Sequence, residues 1–226
     1  MKNLIKFACG LAVAVLFAAN ASATVIADWT FETSQPTGAG PISPETGSGS
    51  GTASTHGVFT HPTGDGTAYS WSSNGWSVGD WWKFEVSTTG YTGITLDWDQ
   101  TGSNTGPRDF QLAYSLNDSD WTDFGGILTV LPSASVGTRT FWTAGQYFSD
   151  YHFSVALDSA VDNQSAVYFR LTDMSTTAAN GTSTVGLSGT DRIDSFTVQG
   201  IPEPSTIMLV GFGLASCVLA IRRRRS

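Results

Sequence analysis

Residues 82–116 read WKFEVSTTGYTGITLDWDQTGSNTGPRDFQLAYSL, and their alternation decides the fold. Trp82, Phe84 and Val86 share one side of an extended chain, opposite Trp81, Lys83 and Glu85. After the turn Thr88-Thr89-Gly90 the same period returns, with Ile94, Leu96 and Trp98 inward and Thr95, Asp97 and Asp99 outward. A loop at 100–107 with two glycines and a proline precedes a third run, in which Phe110, Leu112, Tyr114 and Leu116 share a face; Asn117 to Asp120 then supply turn chemistry. Three half-buried strands in 35 residues, with turn signals between them, point to an antiparallel sandwich.

The same reading extends outward. Upstream, Val25, Ala27, Trp29 and Phe31 alternate with Ile26, Asp28, Thr30 and Glu32 as a first strand. Residues 33–57, rich in Gly, Ser, Thr and Pro, are expected to form a mobile surface insertion. Downstream, 127–131 reads as a buried strand and 138–142 as another, followed by alternation at Tyr151, Phe153, Val155 and Leu157 and at Val167, Phe169 and Leu171. The last run, 192–199, slips phase between Ile193 and Phe196, which predicts a bulge. No stretch in 24–200 sustains apolar residues at helical spacing. The expectation is one all-β domain, an antiparallel β-sandwich of the jelly-roll kind, with Trp29, Trp82 and Trp98 in its core.

Both ends read differently. Lys2 and Lys6, the apolar run 7–19 and Ala21-Ser22-Ala23 have the anatomy of a secretory signal peptide, so 1–23 is expected to be removed. Residues 201–226 read IPEPSTIMLVGFGLASCVLAIRRRRS. Pro202 and Pro204 hold the chain extended around Glu203, up to Ser205. The apolar run 207–221 approaches the length of a membrane-spanning helix, and Arg222, Arg223, Arg224 and Arg225 would stay on the cytoplasmic side. Five of the eleven basic residues and eighteen of the nineteen acidic ones fall in 24–200, a net charge near −13. Such a field repels nucleic acid and anionic lipid. Both cysteines, Cys9 and Cys217, lie outside that segment, so it has neither a disulfide nor a thiol nucleophile.

The order Pro-Glu-Pro-Ser, Gly-interrupted apolar run and Arg cluster resembles the PEP-CTERM sorting signal of Gram-negative bacteria, whose proteins are handled by an exosortase. The resemblance implies an exported protein, anchored transiently in the inner membrane, cut near Pro202–Pro204 and released to the cell surface or extracellular matrix of an exopolysaccharide-producing bacterium. A permanent membrane anchor would give the same helix and arginines, and only the Pro-Glu-Pro turn separates the two. A second resemblance covers 82–200: the run GYTGITLDWDQTGSNTGPRDFQLAYSLNDSDWTDF at 90–124, VYFRL and GTDRIDSFTVQG are similar to jelly-roll ectodomains attached to such tails, themselves like carbohydrate-binding sandwiches. It implies the fold more than an activity.

Candidate chemistry is sparse. His56, His61 and His152 lack metal-motif spacing, no serine sits in a nucleophile elbow, and Asp97 and Asp99 read as solvated outer-face aspartates rather than a catalytic or cation-binding pair. Asn117, Asp118, Asp120 and Asp123 place oxygens at alternate positions as a calcium loop does, but lack its glycine and terminal glutamate. A hairpin turn is the simpler reading, and no other cofactor is indicated. Trp71 and Trp76 lie in a Ser/Gly-rich stretch, where an indole is either a platform for a sugar ring or a core residue pinning a loop. Three functions follow: an exported surface or matrix protein whose ectodomain binds polysaccharide, a structural or adhesive surface protein without a small ligand, and a secreted polysaccharide hydrolase.

Overall fold

The computed structural model describes residues 22–133 and 142–203. Its strands are β1 (Thr24–Trp29), β2 (Thr46–Gly47), β3 (Gly49–Ala53), β4 (Phe59–Thr60), β5 (Trp71–Ser73), β6 (Trp81–Val86), β7 (Tyr91–Gly102), β8 (Asp109–Ser115), β9 (Thr122–Thr129), β10 (His152–Ala156), β11 (Val167–Asp173) and β12 (Asp191–Pro202). They form two antiparallel sheets, the expected sandwich. The seven-stranded sheet runs β10-β7-β12-β1-β2, with β5 pairing β12 and β4 pairing β5; the five-stranded sheet runs β3-β6-β11-β8-β9.

The predicted alternation becomes the core. Trp82, Phe84, Val86, Phe110, Leu112, Val167, Phe169 and Leu171 of the five-stranded sheet face Trp29, Ile94, Leu96, Trp98, Ile193, Phe196 and Val198 of the other, all buried. At the centre Phe84 stacks on Phe196 with centroids 3.7 Å apart, and Trp29 meets Phe84 edge-on at 5.0 Å. Each such side chain removed from water contributes about 1.5–3 kcal/mol. The predicted bulge is present: the β12–β7 register shifts between Asp194 and Thr197, where Ser195 has φ 50°.

Three expectations need correction. Residues 33–57 are not a free insertion, since they contain β2 and β3 and Ile42 bridges Gly51. The segment at 127–131 is not a buried strand: β9 is an edge strand, and Ile127 is 51% exposed. Val25 is exposed because the β1–β12 register shifts between Val25 and Ala27. Among the described residues no helix is long and apolar enough to cross a membrane. The apolar run at 207–221, most of the predicted leader at 1–23 and most of the strand predicted at 138–142 lie outside the described residues.

Candidate functional site

Because β6, β8 and β11 turn alternate residues inward, their intervening residues meet on the outer face of the five-stranded sheet. Tyr168 lies opposite Glu85 and Ser115, Arg170 opposite Lys83 and Ala113, and Thr172 opposite Trp81 and Gln111. Thr52 of β3 and Asp123 of β9 extend the middle row, opposite Lys83 and Ala113 respectively. Trp121, just before β9, stacks on Arg170, whose guanidinium carbon is 3.8 Å from the ring centroid. Lys83 Nζ sits 4.9 Å from the Trp81 ring centroid and 5.7 Å from that of Tyr168, and donates to both carboxylate oxygens of Asp118 at 2.8 and 2.7 Å.

The three rings are half-buried, each with a cation over its ring. Burial lowers the Arg170 pKa, an effect opposed by the nearby carboxylates of Asp118 and Asp123. Burial, then the charge of Glu85, raises the Tyr168 hydroxyl above its usual value. Thr52 Oγ1, Arg170 Nε and Thr172 Oγ1 are buried without a hydrogen-bond partner. Partly exposed aromatic rings beside cations can stack on a flat, weakly polar ring while the cations hydrogen-bond its rim.

The outer face of the seven-stranded sheet is built otherwise. Asp97 and Asp99 of β7 lie opposite Ser154 and His152 of β10, and Asp194 of β12 lies opposite Asp99. His152 Nδ1 is 3.0 Å from Asp99 and its Nε2 3.6 Å from Asp97. Residues 61–70 and 143–151 fold over this row. Asp65 N and Thr67 Oγ1 donate to Asp194 Oδ2 at 3.0 and 2.6 Å, while Phe148 N donates to both oxygens of Asp65 at 3.0 and 3.1 Å. Glycine fits at 64, because a Cβ there would lie 2.5 Å from the backbone oxygen of Tyr69 and 2.2 Å from Asp194 Oδ2. Burial first, then the charge of Asp99, raises Asp194 to about 7, and burial with the same neighbour's charge raises Asp65 to about 6. The reading of Asp97 and Asp99 as solvated is therefore corrected for Asp99, which is buried.

The tryptophans singled out from the sequence do not form a platform. Trp71 is fully buried against Trp82 at 4.5 Å and donates from Nε1 to Gly38 O; Trp76 is 5% exposed, packs on Trp82 and Phe110, and donates to Ser73 O. Both are core residues, Trp71 covered by Phe31, Gly38 and Phe59 and Trp76 by Trp82 and Phe110. Asp118, Asp120 and Asp123 do not converge: Asp118 pairs with Lys83, Asp120 accepts from Asn117 Nδ2 within the β8–β9 turn, and Asp123 sits in β9. Among the described residues no group of three or more His, Cys, Asp or Glu is placed to hold a metal ion. Pro202 ends β12 and Glu203 follows it, whereas Pro204, Ser205 and Arg222 to Arg225 lie outside the described residues.

No curated protein matches the chain. Similar solved structures include the K1 cleaved adhesin domain of Lys-gingipain from Porphyromonas gingivalis W83 (11% identity, 79% of this chain and 98% of that one, TM-score 0.42). The CBM22-2 xylan-binding domain of Paenibacillus barcinonensis Xyn10C is another (10% identity, 76% and 98%, TM-score 0.43). TmCBM61 in complex with β-1,4-galactotriose is a third (9% identity, 75% and 92%, TM-score 0.41). Residues 200–225 match the PEP-CTERM protein-sorting motif, and the chain therefore carries that sorting signal from the end of its last strand onward.

Proposed function

We propose that this is an exported protein of the cell surface or biofilm matrix of a Gram-negative bacterium, whose ectodomain binds polysaccharide through the outer face of its five-stranded sheet. The observation that carries this reading is the convergence of Trp81, Trp121 and Tyr168 with Lys83 and Arg170 on one face, from two strands and a hairpin distant in sequence. Such an arrangement suits binding of a glycan chain, not its cleavage. The matched motif supports handling by an exosortase, with 207–221 lodged in the inner membrane until the chain is cut and the ectodomain freed. Replacing Trp121 or Trp81 by alanine is expected to abolish retention on insoluble polysaccharide while changing stability by about 1 kcal/mol, since both rings are only half-buried. Unchanged retention of both variants would sink the binding reading, and hydrolysis of the polysaccharide would replace it with an enzymatic one.

A further inference from the structure

The sorting motif begins inside the sheet. Residues matched to it start at 200, but β12 runs to Pro202 along β7, pairing Ile201 with Thr92 and Pro202 with Tyr91 after a register shift between Gln199 and Ile201. One step further, Glu203 N donates to Gly90 O at 2.8 Å. The acceptor is held from several sides. Gly90 N donates to Asn163 Oδ1 at 2.8 Å, Asn163 N donates to Tyr91 O at 2.9 Å, and Tyr91 N donates to Thr88 O at 2.9 Å. Thr88 is fully buried, and its hydroxyl donates to Val161 O at 2.6 Å while accepting from Gln164 N at 2.9 Å. Thus 201–203 dock on a fixed turn and do not trail from the domain as a linker.

An enzyme that cuts an extended peptide must surround its backbone, and a strand already paired along one edge offers only the other. We infer that the folded ectodomain and the processing enzyme compete for residues 201–203, so cleavage requires the end of β12 to peel from Tyr91 and Thr92. The inference rests on the sorting reading proposed above. It also fixes which end of the sandwich the enzyme meets. With 207–221 in the bilayer, the three residues 204–206 span about 10–14 Å, enough only to hold the end bearing Thr88–Gly90 and Asn163 close to the membrane. Strand ends fray at low free energy, so the opening is accessible and the rate depends on how firmly this rung is closed.

The test uses the full chain in a host carrying an exosortase, with Thr92→Cys and Ile201→Cys combined. Directly opposed residues of an antiparallel pair have a Cα separation that a disulfide accepts, about 4.5–5.5 Å. The bridged protein should accumulate uncut, its processing slowed about tenfold or more against either single variant, and a membrane-permeant thiol should restore the rate. A second variant inserts Gly-Ser-Gly-Ser after Gly200, which keeps the motif and its distance from 207–221 but removes it from the ladder; it should be cut faster than wild type. Bridged protein processed as fast as the single variants, or an inserted variant no faster than wild type, overturns the competition. Wild-type protein that remains intact to Ser226 overturns the sorting reading itself, and the competition with it.

Discussion

The outer face of the seven-stranded sheet carries Asp97, Asp99, His152 and Asp194 under a roof formed by 61–70 and 143–151, whereas the outer face of the five-stranded sheet carries Trp81, Trp121, Tyr168, Lys83 and Arg170 with no such roof among the described residues. The residue types run against the simple rule that acids face water and aromatic rings face the core. On the roofed side, carboxylates accept backbone and hydroxyl hydrogens and so close a second, polar layer over the sheet. On the open side, partly exposed rings and the cations over them keep one another in place. Burying acids costs stability, and exposing indoles costs solubility, so the pair of choices is intelligible if one face builds the domain and the other meets a partner.

The largest expected effect that would test this contrast is Asp194→Ala. It strips the acceptor from Asp65 N, Thr67 Oγ1 and Ser195 N in a buried place, and should destabilise the domain by about 2 kcal/mol and deprotect amides of 61–70 in hydrogen exchange. A destabilisation no larger than that of Trp121→Ala would erase the distinction between structural and binding faces. Next is pH. The folded pKa values of Asp194 and Asp65 are raised to about 7 and about 6, so between an ordinary aspartate value and these the native state binds more protons than the unfolded chain. Stability is fully raised at the acid end of that window and declines as pH climbs through 6 and 7. Melting temperature should thus be higher at about pH 5 than at about pH 8, and the difference should shrink in Asp194→Asn. A melting temperature that rises with pH would show that the roof is not protonated as described. The smallest effect is on the open face, where Asp118→Ala breaks the Lys83 pair at a cost of about 0.5 kcal/mol by denaturant titration, because the pair is solvent-screened.

How much of this is visible in the sequence follows from which interactions are local. The period-two runs of β6, β7, β8, β10 and β11, and the phase slip at Ser195, reflect alternation along a single strand and were legible residue by residue. The burial of Trp71 and Trp76 was not, because their stretch lacks a period and its cover comes from Gly38 and from the neighbouring Trp82 and Phe110. Asp99 read as solvated for the same reason: its roof is set by contacts such as Asp65 with Asp194, 129 residues apart. The open face lies between these cases. Trp81, Lys83 and Glu85 share a side from their own alternation, but that Tyr168, Arg170 and Trp121 join them depends on the strand order, which the alternation does not encode.

The pairing of Thr24 with Gly200 makes the first strand wait for the last. A chain crossing a membrane from its N-terminal end delivers β1 first, yet β12, the strand between β7 and β1, comes through after almost everything else. Contacts this far apart in sequence slow folding, since the whole loop between them must be closed before they form. The seven-stranded sheet therefore completes only once translocation is nearly over, and until then the edge of β1 that meets β12 lacks its partner, leaving Trp29 without Phe196 against it. A net charge near −13 over 24–200 is what holds such exposed chains apart in that interval, so the acidic composition serves the newly exported polypeptide before it serves the folded protein.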